Sequence, residues 1–483
     1  MREGQVGEQT ATFKSWARTS IIQVLTTIHD PAEVEDRLFD VIRAPVSQGY
    51  PSFQSDMEKE ISIRSPRVLE QLISRIADPG FRNLAILGCL CTQSPLVREA
   101  VVAFDVYGQD TEHGQPAVRA LQSYQSCVSR LRRSAINERT EPVCAMTAIL
   151  FLGLLEGLRL GDPGMCLAHF EATRLLLRSQ LTTALAVPRD SDYLKLYRIA
   201  AECVIFNFAT VLPFYESIDS NAGLRLAWDD LSGLEQIFYE DGVDGYDTAN
   251  TSPFLGGFHR VYLLMFKLNV LLRRMYGLIQ DEETAYECAM MALELQEELY
   301  QLEPSIFESS YNQPRGTAIV RSYKVKHAVS VYAMRVYLTK LMNPHFGAGQ
   351  LQLQDDFRKA LALLKHEDVL EPGNPALCWP VIILACSSAC HDDFDFLEEL
   401  MHSMSQVHDP ANAFKLQNAR NTLIHFRDGD CGRREHRETH HLASSADLLL
   451  KPWLLDRSVH GLVPARMQEG GIQDESASRR RSI

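Results

Sequence analysis

The sequence predicts an all-α fold, built as a large irregular assembly of antiparallel helical hairpins. In many segments apolar residues recur at steps of three and four, the spacing that places them on one face of a helix. No long run alternates apolar with polar residues, and no turn of the β-hairpin type joins β-rich segments. Proline follows aspartate at four places that directly precede periodic segments. Together these observations favour helices along the whole chain.

Three apolar stripes predict amphipathic helices in different parts of the chain. The first stripe consists of Ile21, Val24, Leu25 and Ile28. The second, within residues 115–133, consists of Val118, Leu121, Tyr124, Val128 and Leu131. Its opposite, outward face consists of Arg119, Gln122, Ser126 and Arg130. The third consists of Val325, Val329, Tyr332 and Val336. We expect each stripe to face the core.

Aspartate followed by proline predicts where several helices begin. The pairs occupy positions 30–31, 78–79, 162–163 and 409–410. Aspartate accepts hydrogen bonds from the free amides of a first turn, and its charge suits the positive end of the helix dipole. Proline at the first helical position loses no hydrogen bond, because the amide there has no partner. Thr140-Glu141-Pro142 is expected to begin an apolar helix over 143–160, which Gly161 ends, so residues 151–180 are predicted to form one antiparallel hairpin.

The chain is predicted to contain four regions. They are a helical extension at 1–64, a large helical domain at 65–430, a polar connector with a short helix at 431–463, and a disordered tail at 464–483. A soft division of the large domain is placed at the loop-like segment 239–253, and residues 108–116 are predicted to link two helices. The apolar run at 143–155 is shorter than the ~20 residues that a membrane span needs, so we expect a buried helix and no membrane insertion.

Charge and cysteine content limit the classes of function. The formal net charge is −14, so the surface as a whole repels phosphate and is not a general nucleic-acid-binding surface. The 11 cysteines show no even framework, which favours reduced core residues in an intracellular protein. Cys89 and Cys91 are expected to point to different helix faces. Cys386 and Cys390 are placed on one face as small packing residues.

Two clusters and one pair were considered as candidate sites. Asp392, Asp393 and Asp395 are suited to magnesium in a helical prenyl-diphosphate enzyme, but no second acidic cluster follows, and an acidic helix start is favoured. A zinc site would use Cys431, His436, His440 and His441. Neighbouring arginines disfavour a cation there, so a polar connector is preferred. Glu156 and His169 either line a ligand cavity or, as we favour, pair across the hairpin turn. Neither a catalytic, metal nor cofactor site is therefore predicted.

Three sequence blocks in a fixed order point to a family. The first joins FRNLAILGCLCTQSP to a tyrosine-centred helix, VRALQSYQSCVSRLRR. The second is the apolar hairpin VCAMTAILFLGLLEGLRLGDPGMCLAHFEATRLLLRSQ, and the third is NPALCWPVIILACSSACHDDFDFLEELM. This succession resembles the large helical regulatory region of the fungal zinc binuclear cluster transcription factors, over roughly residues 65–430.

The resemblance implies a regulatory region that responds to signals or a small ligand and contacts other transcription proteins in the nucleus, as a homo- or heterodimer in some cases. Members of that family often control fungal secondary-metabolite gene clusters. Their DNA-binding module contains six closely spaced cysteines, whereas the first cysteine here is Cys89. No zinc- or DNA-binding residue carries over, so DNA recognition is expected to depend on a partner or on a segment encoded upstream.

We therefore predict a transcriptional regulator without enzymatic activity. Arg479, Arg480 and Arg481 are candidate nuclear-import residues, and Ser482 is a candidate phosphorylation site. Two alternatives stay open: a cytoplasmic helical scaffold or adaptor, and the metal-dependent prenyl-diphosphate enzyme.

Overall fold

A computed structural model gives the fold of most of the chain from residue 85 onward. The described residues are 85–112, 118–137, 141–158, 163–187, 191–211, 213, 253–255, 259–277, 282–308, 317–366, 375–407, 410–427 and 445–450. Within them every regular element is helical and none is a strand, which confirms the predicted all-α class. The first periodic stripe, the Asp-Pro pairs at 30–31 and 78–79, the polar connector at 431–444 and the tail at 464–483 lie outside these residues.

The helices follow one another with short connections. In chain order they are α1 (Ala85–Gln93), α2 (Pro95–Glu112), α3 (Val118–Asn137), α4 (Pro142–Leu158), α5 (Pro163–Ala186), α6 (Asp192–Val211), α7 (His259–Gly277), α8 (Glu282–Glu308), α9 (Thr317–Met342), α10 (Leu351–His366), α11 (Cys378–Cys386), α12 (His391–Val407) and α13 (Pro410–Arg427). Two short 3-10 helices, Pro375–Leu377 and Ser445–Leu450, flank α11 to α13 in the chain.

Helices that are neighbours in the chain pack against each other, and a few distant contacts close the assembly. The first group comprises α2 with α3, α4 with α5, and each consecutive pair from α5 to α10. The distant contacts include α1 with α6, α4 with α13, and α9 with α11. One continuous hydrophobic core extends from Leu87 in α1 to Leu449 in the second 3-10 helix. The result is the predicted irregular assembly of packed helices.

Helix starts agree with the proline pattern wherever the structure describes them. Pro142, Pro163 and Pro410 are the first residues of α4, α5 and α13. In α4, the backbone carbonyl of Glu141 accepts hydrogen bonds from the amides of Cys144 and Ala145. The prediction of an apolar helix followed by a second helix within 151–180 is therefore confirmed.

The α4–α5 hairpin is buried within the core. All residues of α4 from Met146 to Glu156 are buried except Ile149. A Cβ placed on Gly153 would lie 3.2 Å from Cβ of His169 and from Cζ of Phe170. The absence of a side chain at Gly153 thus permits the close approach of α4 and α5. Among the described residues, no helix is long and apolar enough to span a membrane.

Two sequence predictions need correction. Residues 108–112, placed in a loop, continue α2 as far as Glu112. In α3 the buried Tyr124 and Val128 and the exposed Gln122 and Arg130 agree with the predicted faces, and buried Cys127 widens the apolar stripe. The stripe predicted for α9 is much narrower than the surface that the helix buries, because every side chain from Val325 to Leu338 is buried. This helix is surrounded by α7, α8, α10 and α11, together with both 3-10 helices.

Candidate functional site

Two aspartates near the start of α12 take part in separate ion pairs. Asp393 accepts hydrogen bonds from Lys365 Nζ at 2.8 Å and from Cys390 Sγ at 3.0 Å. Asp395 binds Arg427 Nη1 at 2.7 Å. Asp392 and Asp393 lie in the first turn of α12, as the helix-start interpretation predicted. The part of the chain that the structure describes contains no group of three or more metal-ligating side chains placed to hold an ion.

The members of each candidate cysteine pair lie in different environments, and His169 bonds a residue other than Glu156. Cys91 is buried while Cys89 is partly exposed, so the two lie on different faces, as predicted. Cys386 and Cys390 do not share a face, because α11 ends at Cys386 and Cys390 is exposed in the following turn. The favoured pairing of His169 with Glu156 is wrong, because His169 bonds a different residue. His169 is hydrogen-bonded to Tyr124 in α3, with 3.0 Å between Nε2 and Oη. The residues considered for zinc at 431–441, where a polar connector is preferred, and the arginines at 479–481 lie outside the described residues.

His169 connects α5 to α3 in the buried interior. The side chain is buried and its ring contacts the Tyr124 ring edge-on. Burial lowers the pKa of His169 from 6.5 to about 4, because the charged imidazolium loses its hydration. The residue is therefore neutral in the folded protein at physiological pH and has a structural role.

The depressed pKa of His169 predicts a loss of stability in mild acid. Between pH 6.5 and about 4 the unfolded chain gains a proton at this position that the folded chain does not, so the free energy of unfolding falls with falling pH. We expect His169→Gln to reduce this slope by about 1 kcal/mol per pH unit. Chemical denaturation at several pH values measures it. The exposed His402 provides the control, since His402→Gln should leave the slope unchanged; an equal slope for wild type and His169→Gln would contradict the prediction.

An exposed apolar stripe runs along the outward face of α8. Its large apolar side chains are those of Tyr286, Met290, Leu293 and Tyr300, with exposed fractions of 67%, 40%, 50% and 51%. With Glu297 and Pro304 they are spaced by four, three, four, three and four residues, the repeat by which one helix packs along another. Large apolar side chains grouped in this way on a surface typically belong to an interaction site. We call these six residues the α8 stripe.

The opposite face of α8 fixes the helix to the core. Its buried residues are Cys288, Met291, Ala292, Leu295, Leu299, Leu302 and Ile306. They pack toward α7 and α9. Glu298 at the edge of the helix binds Lys267 at 3.3 Å and Arg260 at 3.5 Å, both in α7. Contacts with α7 and α9 therefore fix the position of the helix that carries the α8 stripe.

A charged cluster beneath Tyr300 joins α8 to α9 and α10. Arg335 in α9 lies 2.5 Å from Oε2 of Glu303 and 3.4 Å from Oδ1 of Asp356 in α10. Its guanidinium group also donates to the Leu299 carbonyl at 2.9 Å and lies 4.1 Å from the centre of the Tyr300 ring. Tyr332 donates to Glu303 at 2.5 Å. One buried cation thus holds the carboxyl-terminal half of α8 in place.

The carboxylates of this cluster differ in their electrostatics. Burial raises the pKa of Glu303, but hydrogen bonds from Tyr332 and Arg335 outweigh it and leave the pKa below its usual value. Burial raises the pKa of Asp356 above its usual value, because the more distant Arg335 compensates only in part. Glu303 is accordingly the firm counter-ion of Arg335, and Asp356 is the carboxylate that depends most on the presence of that cation.

Negative charge dominates the exposed surface of α8. The helix contains eight glutamates and has no lysine, arginine or histidine. Glu283, Glu294 and Glu297 are exposed and have no basic partner within the described helices. Glu287 lies 3.9 Å from Arg274, a long distance for an ion pair, and is itself largely exposed. This surface is absent from the sequence predictions, although the spacing of its apolar residues and its one-sided charge are visible in the sequence.

A family model described as the fungal specific transcription factor domain matches residues 72–417. This is well over half of the 483 residues. The chain belongs to this family. The resemblance inferred from the three sequence blocks is thereby confirmed. Family membership supports a role in transcriptional regulation, and the matched region contains every described helix from α1 to α12. Searches of curated proteins and of solved structures found no match.

Proposed function

We propose that this chain is a nuclear transcriptional regulator that controls a fungal secondary-metabolite gene cluster through contacts with other transcription proteins. The family match over residues 72–417 is the observation that carries this proposal. The separate ion pairs of Asp393 with Lys365 and of Asp395 with Arg427 give no support to the prenyl-diphosphate enzyme. The same proposal includes regulation by a small ligand.

Protein contacts are proposed as the route of action for two reasons. The formal charge of −14 opposes direct binding to phosphate, so DNA recognition is assigned to a partner or to a segment encoded upstream. The α8 stripe provides an exposed apolar surface on a rigidly held helix. Homo- and heterodimers are both included among the proposed assemblies.

Gene deletion tests the transcriptional role. We expect loss of the gene to change the transcript levels of a set of neighbouring biosynthetic genes, and the purified full-length chain to show little sequence-selective binding to their promoters. Transcript profiling and promoter-binding assays measure the two outcomes. Unchanged transcripts together with a cytoplasmic tagged protein would favour the scaffold or adaptor instead. Tight selective binding by the purified chain would contradict the proposed dependence on a partner.

The same tagged protein tests the import residues. Replacing Arg479, Arg480 and Arg481 with alanine is expected to move the protein out of the nucleus, whereas the triple replacement with lysine keeps the charge and should keep it there. Nuclear accumulation of the alanine variant would remove these arginines from the proposal.

A further inference from the structure

We propose that the α8 stripe is the binding site for a basic amphipathic helix of a partner protein. The proposal rests on the proposed function, because it names the chemistry of one of the protein contacts through which the regulator acts. It concerns the outward face of α8 from Tyr286 to Pro304, which none of the described helices covers.

The spacing of the stripe indicates a helical partner. Steps of four and three residues keep the exposed side chains of Tyr286, Met290 and Leu293 in line along α8, and Tyr300 continues the line one turn beyond Glu297. A second helix lying alongside meets such a line with its own apolar residues at the same repeat. Tyrosine and methionine are also side chains that contribute strongly to protein interfaces.

Charge defines the composition of that partner helix. Glu297 lies within the stripe, and Glu283, Glu287 and Glu294 lie together along one side of it. A helix docked on the stripe must place its flanking side chains against these carboxylates. Lysine or arginine at those positions forms ion pairs, whereas glutamate or aspartate repels. The partner is therefore apolar along one stripe and basic beside it.

A second copy of this chain is a poor occupant for the same reason. Pairing α8 with another α8 brings together two helices that contain eight glutamates each and no basic residue. The repulsion between like charges across such an interface opposes the apolar gain. A basic partner turns the same charges into attraction, and this difference selects a heterologous partner.

The site needs no rearrangement before binding. The inward face of α8 is packed in the core, and Arg335 holds the Glu303 end of the helix. Since the backbone and one side of the helix are already ordered, binding pays little conformational entropy on this side of the interface.

Designed peptides test the proposal with the full-length chain. The first peptide has leucines at steps of four and three and lysines beside them. The second has glutamate in place of every lysine, and the third has the composition of the first in scrambled order. Fluorescence anisotropy at physiological salt is expected to show binding of the first peptide at least about tenfold tighter than that of the other two. Binding should weaken as the salt concentration rises.

Two exposed positions separate the apolar from the charged contribution. Leu293→Asp should reduce affinity for the lysine peptide about tenfold or more, whereas Leu351→Asp, at a still more exposed leucine of α10, should not. Glu294→Lys combined with Glu297→Lys should weaken the lysine peptide and strengthen the glutamate peptide. Asp392→Lys combined with Glu399→Lys, at two exposed positions of α12, is the control with the same change in surface charge. Circular dichroism shows whether each variant keeps the helical fold.

The possible results are decisive for the surface. Equal affinity for the three peptides, or no loss on Leu293→Asp, overturns the proposal. Absence of binding overturns it as well, since it means that the face is covered by another part of the chain or by a different partner. A dimer of the chain that dissociates on Leu293→Asp would assign the stripe to a second copy. If gene deletion leaves transcripts unchanged but the lysine peptide still binds more tightly than the other two, the proposed function fails and the proposed binding site stands. If deletion changes transcripts but the three peptides bind equally, only the proposed binding site fails.

Discussion

Lys340→Met is expected to lower the free energy of unfolding by about 4 kcal/mol. The Lys340 side chain is fully buried at the end of α9. Its ammonium group donates to the carbonyls of Pro344 and Phe346 at 2.6 and 2.7 Å, and to Oδ1 of Asp447 at 2.6 Å. Methionine fills most of the volume but removes the charge, so Asp447 loses this counter-ion and the carbonyls of Pro344 and Phe346 lose a donor. Urea denaturation followed by circular dichroism measures the change.

An exposed lysine provides the control for Lys340. Lys365→Met removes a surface ion pair with Asp393 and should change stability by no more than about 1 kcal/mol. Asp447→Asn in the Lys340→Met background should restore part of the lost stability, because it removes the partly buried carboxylate that has lost the Lys340 ammonium. Equal effects of Lys340→Met and Lys365→Met would contradict the assigned role of the buried ammonium.

Arg335→Leu is expected to destabilise the chain by about 3 kcal/mol at pH 7. Leucine keeps apolar packing in α9 but removes the nearer cation of Asp356 in α10, whose other cation, Lys359, lies 3.9 Å away at the surface. It also removes the contacts of Arg335 with Glu303 and Leu299 in α8. The difference from wild type should shrink between pH 7 and 5, because Asp356, whose pKa burial already raises, becomes protonated more readily once Arg335 is gone.

Denaturation curves at both pH values measure this effect. Arg358→Leu replaces an exposed arginine of α10 and should leave stability nearly unchanged at either pH. Destabilisation by Arg335→Leu that stays constant from pH 7 to 5 would show that lost packing, and not the poorly compensated charge of buried Asp356, causes it.

Local patterns in the sequence predicted much of the fold but not the arrangement around α9. The proline pattern placed the starts of α4, α5 and α13, because capping depends on residues within a single turn. The burial of α9 on all sides could not be inferred, since Lys326, Arg335 and Lys340 are expected at a water-facing surface. The burial of Arg335 and Lys340 depends on Glu303, Asp356 and Asp447, which the fold brings from other segments. Such partners have no signature in the local sequence.

The α8 stripe shows a different limit. Apolar residues at helical spacing occur on both faces of α8, one containing Leu295 and Leu299 and the other Leu293 and Tyr300. Only packing against α7 and α9 determines which of the two faces is buried. The segment at 392–395 is the opposite case, because its acidic helix start followed from the local sequence alone.

The ion pair between Lys340 and Asp447 has a practical consequence for work with pieces of this protein. The family match ends at residue 417, yet the 3-10 helix at Ser445–Leu450 packs against α9, α11 and α13 and supplies the counter-charge of a fully buried lysine. A recombinant fragment cut at the family boundary would retain the ammonium without its carboxylate and would expose the core residues that Leu448 and Leu449 cover. Fragments designed for expression or crystallisation should therefore extend past residue 450.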